Sequence, residues 1–163
     1  MARALLVGCG CRGRELGRLL RADGWEVRGT SREPERAARI ERAGLEGVVA
    51  DPGRVATVLD HVADVAVVAW LLGSAAGDDE SLGAIHGARL ERLLEQLVDT
   101  PVRGFLYEAA GSVPRWRLQQ GAALARAAAE RWRIPVEMLD TEPSDWRRWS
   151  VAAVDAVRRL TGA

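Results

Sequence analysis

The sequence predicts an α/β fold: a doubly wound parallel Rossmann sheet of about six strands in three α/β/α layers. Three observations carry this. Short apolar runs alternate with longer amphipathic stretches along the whole chain. The apolar run Val65 to Leu71 has no polar residue, as expected of a parallel strand covered on both faces. The stretch "LLVGCGCRGRELGRLL", Leu5 to Leu20, places three glycines at the spacing G-x-G-x-x-G between a strand-like and a helix-like segment.

The elements follow in order. Ala4 to Val7 reads as a buried strand, and Arg14 to Ala22 as a helix with Leu16, Leu19 and Leu20 at helical spacing. Glu26 to Thr30 is a second strand, entered through the turn "ADGW". Glu35 to Ala43 is a helix with Pro34 at its start and Gly44 at its end. Gly47 to Ala50 is a third strand, Val55 to His61 a short helix, and Val65 to Leu71 a fourth strand. Ser81 to Val98 reads as one long amphipathic helix with Leu82, Ile85, Leu90, Leu93, Leu94 and Leu97 turned to the core. Arg103 to Glu108 is a fifth strand, Leu118 to Trp132 an Ala-rich helix, Pro135 to Leu139 a sixth strand, and Trp149 to Leu160 a final helix. Six strands suit two mononucleotide-binding halves with strand order 3-2-1-4-5-6. The loop Gly73 to Asp79 follows the fourth strand and is expected near the carboxyl edge, where ligands bind in such folds.

Composition narrows the function. The chain has 163 residues, 48% apolar and 28% charged, with a formal net charge of zero. That suits one domain, residues 1–163, with its own core. No excess charge draws it to nucleic acid or to a membrane surface. The longest apolar run, Val65 to Leu72, is too short to span a bilayer. Met1 leads straight into a strand, without the parts of a signal peptide, so the expected location is cytoplasmic. Cys9 and Cys11 lie one residue apart in the glycine loop, too close for a ready disulfide, and are read as small side chains suited to a tight turn.

Glycine loop chemistry comes next. Gly8 permits the tight turn, Gly10 lets a pyrophosphate approach the backbone, and Gly13 allows close helix–strand packing. The helix start then offers free N–H groups and a favourable dipole. At the end of the second strand an NAD site usually carries an acid for the ribose hydroxyls. Here the stretch is "RGTSRE", so Thr30, Ser31 and Arg32 stand in its place, suited to a 2′-phosphate. Arg12 adds a second positive charge. NADP(H) is therefore favoured over NAD(H), with Glu33 the competing ribose ligand. Asp51 in "VVADP" is a candidate for the adenine pocket or for a cap on its own turn, and Trp70 is a candidate wall of the cofactor site.

The chain resembles the extended and atypical short-chain dehydrogenases/reductases, the NAD(P)-dependent epimerase/dehydratase group. "LLVGCGCRGRELGRLLRADGWEVRGTSR" is similar to their opening, "VVADP" to their adenine-side segment, and "VADVAVVAW" and "GARLERLLEQL" to their fourth strand and the helix after it. "GFLYEAAGSVP" is similar to the fifth strand that leads into their catalytic Ser and Tyr. The resemblance covers residues 1 to about 115 and implies a Rossmann fold and a dinucleotide cofactor. The family's catalysis rests on a Tyr-x-x-x-Lys pair in which the Lys lowers the phenol pKa. This chain has no Lys, and its one Tyr, Tyr107, is followed four residues later by Gly111. Ala109 and Ala110 stand where the family places Ser residues, so no catalytic residue is carried over. The family builds its substrate pocket from a sizeable C-terminal region, for which little sequence follows the sixth strand here.

Two function classes remain. One is an NADP(H)-binding or sensor module. The other is an atypical oxidoreductase or epimerase that uses other residues, such as Glu108 near Tyr107, Ser112 and Arg115, or a partner subunit. A site for S-adenosylmethionine fits "TSR" less well. No P-loop, zinc-protease or nucleophile-elbow motif occurs. The six Trp suit core packing first and a homodimer interface second.

Overall fold

The computed structural model describes residues 1–162. Six strands form one parallel sheet: β1 Arg3–Val7, β2 Glu26–Ser31, β3 Glu46–Val49, β4 Val67–Trp70, β5 Gly104–Glu108 and β6 Val136–Leu139. Their spatial order is β3-β2-β1-β4-β5-β6, the expected doubly wound order. Seven helices connect and cover them: α1 Cys11–Ala22, α2 Pro34–Arg42, α3 Val55–Leu59, α4 Asp79–Ile85, α5 Ala88–Leu97, α6 Arg115–Trp132 and α7 Trp146–Thr161.

Strand parity divides the core in two, because successive side chains of a strand point to opposite faces. Leu5, Val7, Val68, Trp70, Phe105 and Tyr107 face one layer, built from α3, α5 and α6. Ala4, Leu6, Val67, Ala69 and Leu106 face the other, where Leu16 and Leu20 of α1, Ile40 of α2 and Trp149 and Val157 of α7 pack. The short central strand β4 is buried along its whole length, as its uninterrupted apolar sequence requires. A charge network holds the edge beside β3. Arg28 of β2, almost fully buried, donates to Glu46 at 2.9 Å, to Asp64 at 2.7 Å and to the carbonyl of His61 at 2.8 Å.

Several boundaries differ from the sequence expectation. The long helix expected over Ser81–Val98 is two helices, α4 and α5, broken at His86 and Gly87. Gly87 has φ −136° and ψ −113°, outside the helical region, and a Cβ there would lie 2.5 Å from the carbonyl oxygen of Gly83. His86 leaves the helical surface and is fully buried. Helices α1, α6 and α7 each begin three residues earlier than expected, at Cys11, Arg115 and Trp146. The α7 extension has a local cause: the Asp145 carboxylate accepts the Arg148 N–H in the usual N-cap manner. No helix is long and apolar enough to cross a membrane among the described residues.

Candidate functional site

The glycine loop leaves β1 in a tight reversal. Gly8 has φ +84°, and a Cβ there would lie 2.6 Å from Leu72 and 2.8 Å from the carbonyl oxygen of Leu71. Only glycine combines that backbone with that space. The loop is pinned to β2: the Gly8 N–H donates to Thr30 Oγ1 at 3.2 Å, and the Cys9 N–H to the Thr30 carbonyl at 2.9 Å. Gly10 then forms the N-cap of α1, with no side-chain cap and no acid in the first turn. A Cβ on Gly10 would meet nothing within 4 Å. The helix start is therefore uncapped, undisturbed by acids and open to an approaching anion. At Gly13 a Cβ would come within 3.2 Å of Cys9 Sγ, so this glycine serves packing. Burial pushes the Cys9 thiol up to about 12, an inert packing group, whereas Cys11 is exposed.

A cavity of about 560 Å³ opens in front of this loop, over the carboxyl ends of β1, β2 and β4. Gly8, Gly10, Arg12, Thr30, Ser31, Arg32 and Asp51 all border it. The structure thus brings together every sequence-derived binding candidate except Gly13 and Trp70. Trp70 corrects the expectation of a cofactor wall. It is fully buried, its Nε1–H donates to the carbonyl of Ile85 at 3.1 Å, and its ring packs on Phe105. Its position in the fourth strand points it into the helical layer.

The polar groups at the cavity have unequal freedom. Thr30 is buried, and its hydroxyl is engaged by the Gly8 N–H. Ser31 Oγ accepts the Glu33 N–H at 3.2 Å and keeps its own proton to donate. Arg32 is exposed and has no ion-pair partner among the described residues. Asp51 Oδ1 caps its own turn through the Gly53 N–H at 2.8 Å, while the residue still borders the cavity. Glu33 does not border it; its carboxylate lies 3.5 Å from Arg36 Nε.

Sequence reading missed two cavity cations, Arg36 and Arg89. Arg36 lies in the first turn of α2, and no motif in the sequence marked it, because Arg32 stands before the helix N-cap at Glu33. None marked Arg89 either, because its placement depends on the break between α4 and α5.

Arg12 also borders a second, small crevice of about 90 Å³ with Glu108 and Trp149. Its guanidinium lies 6.0 Å from the centroid of the Trp149 ring. Its Nε–H is buried without a partner. Glu108 is 1% exposed. Its Oε1 accepts the Gly73 N–H at 2.8 Å and its Oε2 the Trp149 indole N–H at 2.9 Å. Burial pushes the Glu108 carboxyl above its ordinary range, against the opposing pull of those two donors and of Arg12.

Tyr107 is occupied elsewhere. It lies 2.7 Å from His86 Nδ1, while His86 Nε2 lies 3.0 Å from the Leu72 carbonyl. The carbonyl can only accept, so Nε2 carries the proton and Nδ1 accepts the phenol O–H. Burial raises the phenol pKa and lowers that of His86. A buried phenol kept protonated in this way is poorly placed for proton exchange with a substrate.

No family model matches the sequence, and no curated protein matches it. Solved structures do. The chain is similar to a short-chain dehydrogenase/reductase superfamily protein from Agrobacterium tumefaciens with bound NAD, with TM-score 0.67 and 19% identity over 83% of this chain. It is also similar to a protein described as a short-chain dehydrogenase/reductase from Corynebacterium glutamicum, with TM-score 0.73 and 17% identity over 95% of this chain and 90% of that one. The chain has the Rossmann fold. A Bacillus halodurans protein described as an NAD-dependent epimerase/dehydratase shares this Rossmann architecture, with TM-score 0.68 and 19% identity over 88% of this chain and 71% of that one. These likenesses show the Rossmann fold that the sequence predicted. The chain spans about half the length of the Agrobacterium protein, 48% of it.

Proposed function

We propose that this chain binds NADP(H) in preference to NAD(H) and acts as a binding or sensor module rather than as a reductase. The observation that carries this is the guanidinium pair at the end of β2: Arg32 and Arg36 border the cavity there, and the neighbouring acid, Glu33, does not. A 2′-phosphate matches that arrangement through charge-assisted hydrogen bonds. The residues fit the rest of a dinucleotide as well. The N-cap of α1 is open at Gly10, and Arg12 offers a buried N–H with no partner. A bound cofactor would bring a hydride-carrying nicotinamide. This chain's own groups would bind its phosphates through Gly10, Arg12, Ser31 and Arg32.

The oxidoreductase reading gains no proton donor from these residues. Tyr107 is hydrogen-bonded to His86, and both oxygens of Glu108 accept internal N–H groups. Calorimetric titration with NADPH and NADH tests the binding reading, and a carbonyl and sugar-nucleotide substrate screen following NADPH oxidation tests the rest. Tighter binding of NADPH with no oxidation is expected. Equal affinities, or turnover that Tyr107→Phe or Glu108→Gln removes, would refute it.

A further inference from the structure

The glycine loop faces two spaces of very different size. Toward β2 lies the cavity of about 560 Å³. Toward β5 lies the crevice of about 90 Å³. The first is in the range of roughly 300–1,000 Å³ typical of small-molecule and cofactor sites. The second has the volume of about three water molecules. A Rossmann dinucleotide lies across the crevice at the point where strand order reverses, between β1 and β4, with one nucleotide toward each half of the sheet. Here the room lies over the ends of β1, β2 and β3 and beside the segment after β4 that leads into α4, and no described residue from β5 onward borders it.

Named contacts close the other side. Trp149 is 1% exposed, and its indole is fixed by Glu108. The second oxygen of Glu108 holds the Gly73 N–H, which joins the segments after β4 and β5. Those segments also meet directly. The Val113 N–H donates to the Gly73 carbonyl at 3.0 Å. A Cβ on Gly73 would lie 2.1 Å from the Ala110 carbonyl oxygen, and one on Gly111 2.1 Å from that of Gly73. No side chain larger than hydrogen fits between them. Arg12 stands at the boundary, bordering both spaces, with its buried Nε–H unpaired. A buried donor without an acceptor is costly and favours an anion at that point.

We infer that the site recognises the 2′-phosphoadenosine diphosphate half of a dinucleotide as its whole ligand, and that Trp149, held by Glu108, fills the place of the nicotinamide end. The ligand class is a purine nucleotide whose 5′-diphosphate ends beside Arg12. The nicotinamide base of the other half adds little to the affinity. This rests on the dinucleotide reading above and goes further, since it assigns the recognition to one half of the molecule.

Calorimetric titration of the whole chain with NADP⁺, 2′-phospho-ADP-ribose and nicotinamide mononucleotide tests it. The first two differ only in the nicotinamide base. Affinity for NADP⁺ no more than about fivefold above that for 2′-phospho-ADP-ribose, a gap of about 1 kcal/mol, is expected, with no binding of the mononucleotide. A larger preference for NADP⁺, or measurable binding of the mononucleotide, overturns the inference and leaves the dinucleotide reading standing. Binding of none of the three overturns both.

Discussion

The Trp149 indole donates to Oε2 of Glu108 at 2.9 Å and so ties helix α7 to the carboxyl end of β5. This one contact decides what the acid after the fifth strand can do. A general base must reach the proton it removes. Glu108 instead spends one oxygen on α7 and the other on the Gly73 backbone. It acts as a clamp between three segments of chain.

Replacing Glu108 by Gln tests the clamp. Glutamine keeps one acceptor oxygen and presents an NH₂ to the second donor. One buried N–H is then unpaired, at a cost of about 1–3 kcal/mol. The pH dependence should change too. A carboxyl raised by burial holds its proton more tightly in the folded than in the unfolded state. Its contribution to stability is full below about pH 4.3 and is lost as pH rises through the elevated folded value. Urea melts over that interval should show this loss in the wild type and not in Glu108→Gln. Equal pH slopes in the two proteins would remove Glu108 as the source of that loss, and a Glu108→Gln variant as stable as the wild type would count against the clamp.

His86 should give the opposite slope. Burial, the largest cause, and the charge of Arg117 lower its pKa, against the pull of the Leu72 carbonyl. A base with a depressed folded pKa contributes stability that is present above about pH 6.5 and lost as pH falls through the lower folded value. His86→Leu should flatten that acid-side fall. It should also cost about 1–3 kcal/mol, because the Tyr107 O–H loses its acceptor. Urea denaturation midpoints of both proteins between mildly acidic and neutral pH check this. An unchanged acid-side fall in the variant would remove His86 as its source.

The fold was legible because the signals were local and agreed with one another. Each apolar run sat beside a turn signal, and the glycine spacing fixed which strand came first. His86 shows what was not legible. Leu82, Ile85, Leu90 and Leu93 keep helical spacing across the break, so periodicity predicts one helix. What interrupts it is long-range: the His86 ring seated on Tyr107 and Leu72. Trp70 failed for a different reason. The carboxyl end of a strand was read correctly, but the face was not, and neighbouring strand positions face opposite layers. The Arg32 and Asp51 ends of the cavity were readable from position in the fold. The closed side was not, since Trp149 reaches Glu108 across 41 residues of sequence.

Gly10→Asp separates folding from binding. The position has open space for a side chain and an ordinary extended backbone, with φ −84°. An aspartate at a helix N-cap is favourable, since its oxygen can accept a free first-turn N–H. The variant should therefore melt no lower than the wild type. Its carboxylate would occupy the approach to the phosphate site with the wrong charge, so nucleotide binding should be lost. Gly8→Ala is the contrast: with φ +84° and Leu72 2.6 Å from the added carbon, it should destabilise the fold. Thermal melts and a NADPH titration of both variants check this. Undiminished affinity in Gly10→Asp would leave the loop a structural turn only.

Arg32 carries the sharpest expectation. It borders the cavity at the end of β2 and has no ion-pair partner among the described residues, while Arg36 beside it faces Glu33 at 3.5 Å. A free guanidinium is the better partner for a 2′-phosphate, because no existing pair must break. One hydrogen bond to a charged group contributes about 1.5–3 kcal/mol. That corresponds to roughly a tenfold to hundredfold preference for NADPH over NADH. Arg32→Ala should remove most of the preference and leave NADH binding nearly unchanged, since NADH has no phosphate there. Arg36→Ala should remove less, because its guanidinium is already partly neutralised. Both side chains are exposed, so added salt should shrink the preference in the wild type. Calorimetric titrations of the two cofactors at low and high salt, against the wild type and both variants, decide it. Equal losses for both cofactors in Arg32→Ala would exclude the phosphate role. They would turn attention to Glu33, which would have to leave Arg36 to reach a ribose.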